Sequence, residues 1–334
     1  VADAHLPAYK MGNFRVWGIC DKVKKYASDL ASTYQIENIF DSAAEAIAAA
    51  PQDVIFDIAL PASISARILT LLPDGAHVLI QKPMGESLQQ AEEILSICRD
   101  KKLHAAINCQ MRFAPYVLAA RQLIDQGAIG EIIDMEIRLN IHTPWELFPF
   151  LEGLERMELN YHSVHHIDLI RSFLGNPHGV YARTVPNPKQ PKLASTDSTI
   201  IMDYDDPVRA TVNARHSHYF GSKHQESYIK WEGTKGAIKA QIGLLMNYPK
   251  GGEDYLEICR LDDQGQPGEW ESIPFEGTWF PHAFMGIMGS LMQHKEGSLE
   301  ELPTSVEDVI YTMACVEAAY KSNEKRGEAL QINI

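Results

Sequence analysis

Two stretches of the sequence carry side chains suited to moving a proton at a hydroxyl group. The first is Lys82, which precedes Pro83 and follows the apolar run His77–Ile80. The second is the segment 160–168, in which three histidines fall within five positions. An ammonium group can stabilise a developing alkoxide, and an imidazole titrates near neutral pH. These two stretches are therefore the candidates for acid–base chemistry.

The spacing in segment 160–168 favours a helix with two functional pairs. Tyr161 and His165 are four positions apart, as are His162 and His166, so on a helix each pair shares a face. A metal site would need a third ligand, and no H-E-x-x-H motif accompanies these histidines. We expect a general acid or base here and no metal site. A histidine packed in the core is the alternative for each.

Asp21 ends a predicted short strand, and this position suits a ribose-binding carboxylate. Such a carboxylate accepts hydrogen bonds from both hydroxyls of an adenosine ribose and repels a 2′-phosphate. The alternative is a surface aspartate that opens a turn. The glycine-rich turn expected before it is missing from the sequence upstream of Asp21. We therefore expect a strand-plus-glycine segment to precede Val1, and impaired dinucleotide binding if the chain truly begins there.

The first third of the sequence alternates strands with helices. We predict strands at 14–20, 53–60, 77–80 and 104–108, and helices at 22–34, 63–72 and 87–99. The last helix opens with Ser87-x-x-Gln90, a capping box. This order predicts an α/β fold: a Rossmann-type doubly wound parallel sheet that lacks its first strand. Residues 1–109 form the predicted dinucleotide-binding domain.

The rest of the chain alternates apolar and polar residues with period two. Met135, Ile137 and Leu139 show this pattern, and 208–214, 228–231 and 237–242 repeat it. We predict an α+β domain over 110–334 with a large, mostly antiparallel sheet. Helices at 161–174 and 304–322 accompany it, the second capped by Thr304 and Glu307. Since a broad sheet face is rarely left bare, we expect self-association through it.

Composition narrows the class of protein. The 334 residues carry a formal net charge of −14, which disfavours binding to nucleic acid or to anionic membranes. Neither a run of about 20 apolar residues nor a signal-peptide pattern occurs. The five scattered cysteines, without a C-x-x-C motif, fit a reducing compartment. We expect a cytoplasmic enzyme with a small-molecule substrate.

Several short motifs occur in the order found in one enzyme family. They are Ala4-His5-Leu6-Pro7, Asp21, Ala59-Leu60-Pro61, Gln81-Lys82-Pro83, Arg112-Phe113 with Gly127-x-x-Gly130-Glu131-Ile132, Tyr161-x-x-x-His165-x-x-Asp168 and Glu232-Gly233-Thr234-Lys235-Gly236. With them the chain resembles the glucose–fructose oxidoreductase/inositol dehydrogenase (Gfo/Idh/MocA) family. The resemblance covers essentially the whole chain.

The resemblance implies an oxidoreductase that transfers a hydride between NAD, or NADP, and a carbinol carbon of a sugar, cyclitol, polyol or sugar acid. Lys82 would hold the reacting hydroxyl, and His165, with Tyr161 as a possible partner, would carry its proton. The residues implied to line the cofactor are Asp21, Leu60, Pro61, Gln81, Lys82 and Arg112. Asp21 would favour NAD, less firmly because Lys22 adjoins it.

Two departures from the family pattern keep other functions open. Gln81 replaces the glutamate of E-K-P, and Tyr161 replaces the first aspartate of D-x-x-x-H. An NAD-linked glycoside hydrolase or lyase and a non-catalytic, sugar-responsive regulator are the alternatives. A metal-dependent isomerase built on the histidines is less favoured. The candidate substrate contacts are Trp145, Asn160, His162, His166 and Trp279.

Overall fold

The structure, a computed structural model, describes residues 1–327 and divides into two compact units. Unit 1 comprises Val1–Leu118 and Glu276–Met313, and unit 2 comprises Ala119–Phe275 and the chain from Ala314. The prediction placed one boundary between 109 and 110, whereas the contacts return residues 276–313 to unit 1.

Helices and strands alternate through the first third of the chain. They are α1 His5–Met11, β1 Gly18–Cys20, α2 Lys24–Tyr34, β2 Asn38–Phe40, α3 Ala43–Ala49, β3 Ile55–Ile58, α4 Ala62–Leu69, β4 His77–Ile80, α5 Leu88–Asp100 and β5 His104–Ile107. Strands then dominate, as α6 Pro115–Asp125, β6 Ile132–Asn140, α7 Val164–Leu174, β7 Gly179–Val185, β8 Asp197–Asp203, β9 Arg209–Arg215, β10 Glu226–Gly233, β11 Gly236–Gln241, β12 Tyr255–Arg260, β13 Glu271–Ser272, α8 His282–Lys295 and α9 Val306–Lys325.

The strands of unit 1 are parallel, as predicted. β1 pairs with β2, and β3, β4 and β5 form a second sheet in that order. Every residue of β4 is buried, as expected for a strand covered on both faces. The observed strands are shorter than the apolar runs that predicted them, since 14–20 contributes only Gly18–Cys20 and 53–60 only Ile55–Ile58.

Residues 276–313 belong to unit 1 because α8 completes its core. Phe284, Ile287 and Leu291 of α8 share one buried cluster with Leu6 and Ala8 of α1. Leaving these side chains in water would cost roughly 2 kcal/mol for each large one. The period-two patterns upstream gave no sign of this return, because it depends on a match between two helices far apart in sequence.

Unit 2 contains an eight-stranded sheet in the order β13-β12-β11-β10-β6-β9-β8-β7. Only β6 and β9 among these strands pair in parallel, so the prediction of a mostly antiparallel sheet is confirmed. Met135, Ile137 and Leu139 of β6 are all buried, as the alternation predicted. α7 contacts β6 and β9.

The half-exposed side chains of the same strands form a polar surface. Tyr228 donates to Glu136 across the β10–β6 pair at 2.9 Å, and Lys230 lies 3.6 Å from the same carboxylate. Arg138 donates to Glu226 at 2.7 Å. Cross-strand pairs of this kind stabilise a sheet by a few tenths to about 1 kcal/mol each. Self-association through this sheet remains a prediction.

Two of the motifs quoted above meet at one end of this sheet. Glu131 donates its backbone N–H to the Thr234 hydroxyl at 3.2 Å, and Thr234 N–H donates back to the Glu131 carbonyl at 3.0 Å. Gly130 has a φ of +71°, which favours glycine. A Cβ on Gly233 would overlap the carbonyl oxygen of Ile129. The glycines are thus required where two backbone segments approach closely.

Of the two helix N-caps predicted from the sequence, at Ser87 and Thr304, the structure confirms the first and not the second. The Ser87 hydroxyl accepts the N–H of Gln90 at 3.3 Å, which confirms the N-terminal half of the predicted capping box. The cap predicted at Thr304 is wrong: Ser305 accepts the N–H of Asp308 at 3.2 Å, and α9 begins at Val306. Thr304 is instead fully buried beside β5, where its carbonyl accepts the N–H of Ile107.

Within residues 1–327, the helices are all too short or too polar to cross a bilayer.

We expect Gly233→Ala to lower the free energy of unfolding by about 2–3 kcal/mol, because the new methyl group overlaps backbone atoms that cannot move independently. Chemical denaturation measures the change. Gly179→Ala is the matched control, since a Cβ at this strand position meets nothing within 4 Å. Equal stability of the two variants would contradict the close approach at Gly233.

Candidate active site

Lys82 follows the carboxyl end of β4 by two residues, where open parallel sheets bind ligands. The residue is half-buried, and burial lowers the pKa of its amino group to about 8. The thiol of Cys109 lies close enough to act electrostatically on it. A lysine with this pKa is mostly charged at neutral pH but releases its proton readily, which suits proton chemistry at a hydroxyl group.

A network of hydrogen bonds extends from Asp57 in β3 to this lysine. The Asp57 carboxylate in β3 accepts from the Tyr9 hydroxyl and from His5 Nδ1, both at 2.7 Å. The hydrogen bond to Asp57 leaves His5 Nε2 facing the amide nitrogens of Gln81 at 3.3 Å and Asn108 at 3.4 Å. The Gln81 Oε1 accepts the backbone N–H of Lys82 at 2.8 Å.

This network gives a reason for Gln81 at the position of the family's glutamate. The amide group presents an NH2 to His5 and a carbonyl oxygen to Lys82, so both ends are used. A carboxylate has no donor for His5 Nε2. The sequence analysis missed His5 and Asp57 as site residues. A charged residue inside the apolar run Ile55–Ile58 was the available signal.

The predicted cofactor residues outside this network occupy two settings. Asp21 directly follows β1 and is exposed, and one of its oxygens accepts the N–H of Val23 at 2.7 Å. Leu60 and Pro61 follow β3 and are also exposed, with Pro61 capping α4. All three therefore lie at carboxyl ends of parallel strands. An exposed carboxylate and an exposed apolar side chain fit the ribose and ring parts of a dinucleotide.

Arg112 has a different environment. Its guanidinium donates to the Asp308 carboxylate and to the Pro303 carbonyl, both at 2.6 Å. The Arg112 side chain is only 11% exposed. These bonds anchor the segment between α8 and α9 within unit 1. Contact of Arg112 with a cofactor stays a prediction, and the observed pairing gives the residue a structural role.

In unit 2 the segment 159–174 is not one regular helix. Residues Leu159–Ser163 form a π-helical turn, and α7 begins at Val164. Tyr161 and His162 thus lie in the π-turn, whereas His165 and His166 lie in the first turn of α7. Whether each pair shares a face stays a prediction. Single π-turns of this type occur frequently at functional sites. Asn160, His165 and His166 are buried, whereas Tyr161 and His162 are half-buried.

Three aromatic rings from separate elements meet beside this turn. The indole of Trp145 lies 5.3 Å from the His162 ring, edge to face, and His216 lies 4.7 Å from His162 and 5.5 Å from Trp145. Thr143 Oγ1 is 2.9 Å from His216 Nδ1. The predicted substrate residues Trp145 and His162 are thus in contact with each other. Trp279 lies in unit 1 and packs against Phe280, and both tryptophans are buried.

A fully buried carboxylate, Glu158, directly precedes the turn and was missed by the sequence analysis. It accepts hydrogen bonds from the hydroxyls of Ser163, at 2.7 Å, and Ser198, and it lies 3.5 Å from His216 Nε2. A buried charge is tolerated only when it is paired or hydrogen-bonded, as here. Its sequence signal was an acidic residue between Met157 and Leu159, both completely buried.

Two domain descriptions of one protein family match the chain. The "oxidoreductase family, NAD-binding Rossmann fold" description of GFO/IDH/MocA matches residues 1–108. The GFO/IDH/MocA C-terminal domain matches residues 117–239. Together they cover about two thirds of the sequence.

Individual proteins resemble the chain over most of its length. An oxidoreductase from Agrobacterium radiobacter, solved with NAD+, L-tartaric acid and magnesium, has a TM-score of 0.79 at 21% identity, covering 96% of this chain and 92% of that one. Aldose-aldose oxidoreductase from Caulobacter crescentus, complexed with glycerol, gives 0.76 at 16%, covering 96% and 93%. Levoglucosan dehydrogenase from Pseudarthrobacter phenanthrenivorans is 23% identical over 278 residues, 71% of this chain and 67% of that protein.

We expect Glu158→Gln to lower the free energy of unfolding by about 1–3 kcal/mol, because two serine hydroxyls lose a charged acceptor inside the protein. Thermal or chemical denaturation measures the loss. Glu155→Gln, at an exposed position of the same segment, is the control and should change stability by less than about 0.5 kcal/mol. A Glu158→Gln variant as stable as this control would show that the buried carboxylate contributes no net stability.

Proposed function

We propose, from the premise that this chain belongs to the GFO/IDH/MocA oxidoreductase family, that it transfers a hydride between a nicotinamide and a carbinol carbon of a sugar, polyol or sugar acid. The observation that carries the proposal is Lys82. It lies just beyond the end of a buried parallel strand, has a lowered pKa, and is attached through its backbone N–H to the network of Gln81, His5 and Asp57.

The residues after β1 and β3 fit a dinucleotide. We assign Asp21 to the adenosine ribose hydroxyls, and Leu60 and Pro61 to the apolar wall along the bound cofactor. When bound, the nicotinamide supplies the acceptor or donor of the hydride. The carboxylate of Asp21 favours NAD over NADP, because a 2′-phosphate would meet a negative charge there. Gln81 and Lys82, which follow β4, are assigned to the same cofactor site.

Side chains of the protein bind the reacting hydroxyl and carry its proton. Lys82 holds and polarises the reacting hydroxyl, and its ammonium stabilises the oxygen as negative charge develops. His165 takes the hydroxyl proton in oxidation and returns it in reduction. Tyr161, at the position of the family's aspartate, donates to a substrate oxygen and shares this role. These assignments rest on the family motifs together with the burial of each residue.

For the substrate we propose a hydroxyl-rich small molecule. The rings of Trp145 and His162 are of the kind that sugars stack against, and Asn160 on the π-turn and His166 on α7 supply polar groups. Tartaric acid, aldoses and levoglucosan, named for the three relatives above, define the first panel to test. Trp279 lies in unit 1 and packs against Phe280, and its contact with substrate rests on the sequence alone.

The proposal is tested with NAD and a panel of aldoses, anhydrosugars, cyclitols and sugar acids. We expect NADH to form with at least one compound, and Lys82→Ala to lower kcat about 100-fold or more. Turnover should fall as pH rises through about 8, where the Lys82 ammonium loses its proton. In Lys82→Arg this fall should disappear, because a guanidinium stays charged.

The control for this experiment is Lys10→Ala, which removes an exposed lysine of α1 and should leave turnover unchanged. Calorimetry with NAD is measured in parallel. Absence of NAD binding would contradict the dehydrogenase proposal. Consumption of a glycoside without net NADH would replace it with the hydrolase or lyase alternative, in which oxidation is transient.

A second test concerns the choice of cofactor. We expect Asp21→Ser to lower the ratio of NAD affinity to NADP affinity by about 10-fold or more, because two ribose hydrogen bonds to a charged group are lost. Asp41→Ser is the matched control, since Asp41 directly follows β2 but its carboxylate pairs with Lys24 at 2.7 Å. An unchanged ratio in Asp21→Ser would remove Asp21 from the cofactor site.

A further inference from the structure

Three histidines from separate elements of unit 1 come together at the amino ends of two strands. His77 begins β4 and His104 begins β5, and the parallel register pairs them directly. His294 lies in the last turn of α8. The rings of His77 and His104 stack with centroids 4.4 Å apart, and His294 lies 5.3 Å from the first and 4.9 Å from the second.

The ring nitrogens of these histidines converge. His77 Nε2 is 3.1 Å from His294 Nδ1, and one nitrogen from each of the three rings lies within 4.8 Å of the others. Two imidazole nitrogens bound to one tetrahedral zinc ion, each at 2.0–2.1 Å, are about 3.3 Å apart. The first pair is close to that separation, and the nitrogen of the third ring lies within 4.8 Å of both. Because the rings of His77 and His104 are stacked, one of them must turn for both lone pairs to reach one ion.

We propose that His77, His104 and His294 bind one divalent transition-metal ion, with zinc as the best match. Neutral imidazoles suit zinc, copper and nickel, while calcium and magnesium prefer oxygen ligands. Three protein ligands leave a fourth position for water or an outside ligand. The sequence analysis expected no metal site, but it weighed only segment 160–168; the ligands of this site are as much as 217 positions apart.

Charges near the three histidines have opposite effects on the binding of a cation. The carboxyl-terminal end of α8 carries the partial negative charge of the helix dipole, which favours a cation beside His294. Lys295 adds a positive charge near His77 and opposes it. His104 is exposed and provides access from solvent. We therefore expect reversible binding, weaker than in sites that use cysteine thiolates.

This site is separate from the proposed hydride-transfer chemistry. His77 and Lys82 lie at opposite ends of β4, and a strand of four residues spans roughly 13 Å. The ion would not touch substrate. It would join α8 to two strands of the sheet and so fasten the returning segment Glu276–Met313 to unit 1.

The test uses the full chain, freed of any affinity tag and stripped of metal with a chelator. Zn2+ is titrated by calorimetry and Co2+ by visible absorbance, whose intense bands report tetrahedral coordination. We expect one ion per chain and a melting temperature that rises by several degrees with excess Zn2+. His104→Ala and His294→Ala should each bind at least about 100-fold more weakly.

His224→Ala is the matched control, since it removes an exposed histidine outside the cluster and should bind metal like the unaltered chain. Far-UV circular dichroism verifies that each variant folds, and His104→Gln serves as a milder change at the exposed ligand. The proposal is overturned if the unaltered chain binds no Zn2+ or Co2+ at one equivalent. It is equally overturned if the ligand variants bind as tightly as His224→Ala.

Discussion

The satisfaction of one carboxylate inside a parallel strand organises the candidate site. Asp57 is flanked by apolar residues of β3, and its charge would be costly there without donors. His5 and Tyr9 supply them, so α1 must lie where both side chains reach the strand. The orientation of His5 then sets the Gln81 amide, and that amide receives the N–H of Lys82. The placement of the lysine thus depends on hydrogen bonds that satisfy a carboxylate in the neighbouring strand.

A fully buried carboxylate in the other unit repeats this logic. Glu158 is held by two serine hydroxyls and adjoins His216, whose ring packs with Trp145 and His162. In both units a carboxylate that accepts several hydrogen bonds thus helps to position neighbouring polar or aromatic groups. Preorganisation of this kind reduces the reorganisation that binding and catalysis would otherwise require.

Local patterns predicted the fold class and most elements, because a helix or strand that is buried on one face has apolar residues at regular spacing, and one buried on both faces has a continuous apolar run. The buried alternation of Met135, Ile137 and Leu139 was visible in this way. Contacts between residues far apart in the sequence were not visible in this way. The return of α8 to unit 1 and the pairing of Arg112 with Asp308 depend on contacts between distant segments. The π-turn at 159–163 left no pattern in the sequence that distinguished it from an α-helical turn. The sequence singled out Lys82 and the segment 160–168. Asp57 and Glu158 stood out only as acidic residues among apolar ones, and their role as supports, like that of His5, requires the three-dimensional neighbours.

The division of the chain has a consequence for how such a protein can change over evolution. The path passes from unit 1 to unit 2 near residue 119, returns near 276 and leaves again near 314, inside the single helix α9. Neither unit is therefore a contiguous stretch of gene. A recombination event with one junction cannot exchange the cofactor half for that of another enzyme without also dividing a core. New specificity in this architecture is expected to arise by substitution within loops rather than by shuffling of modules.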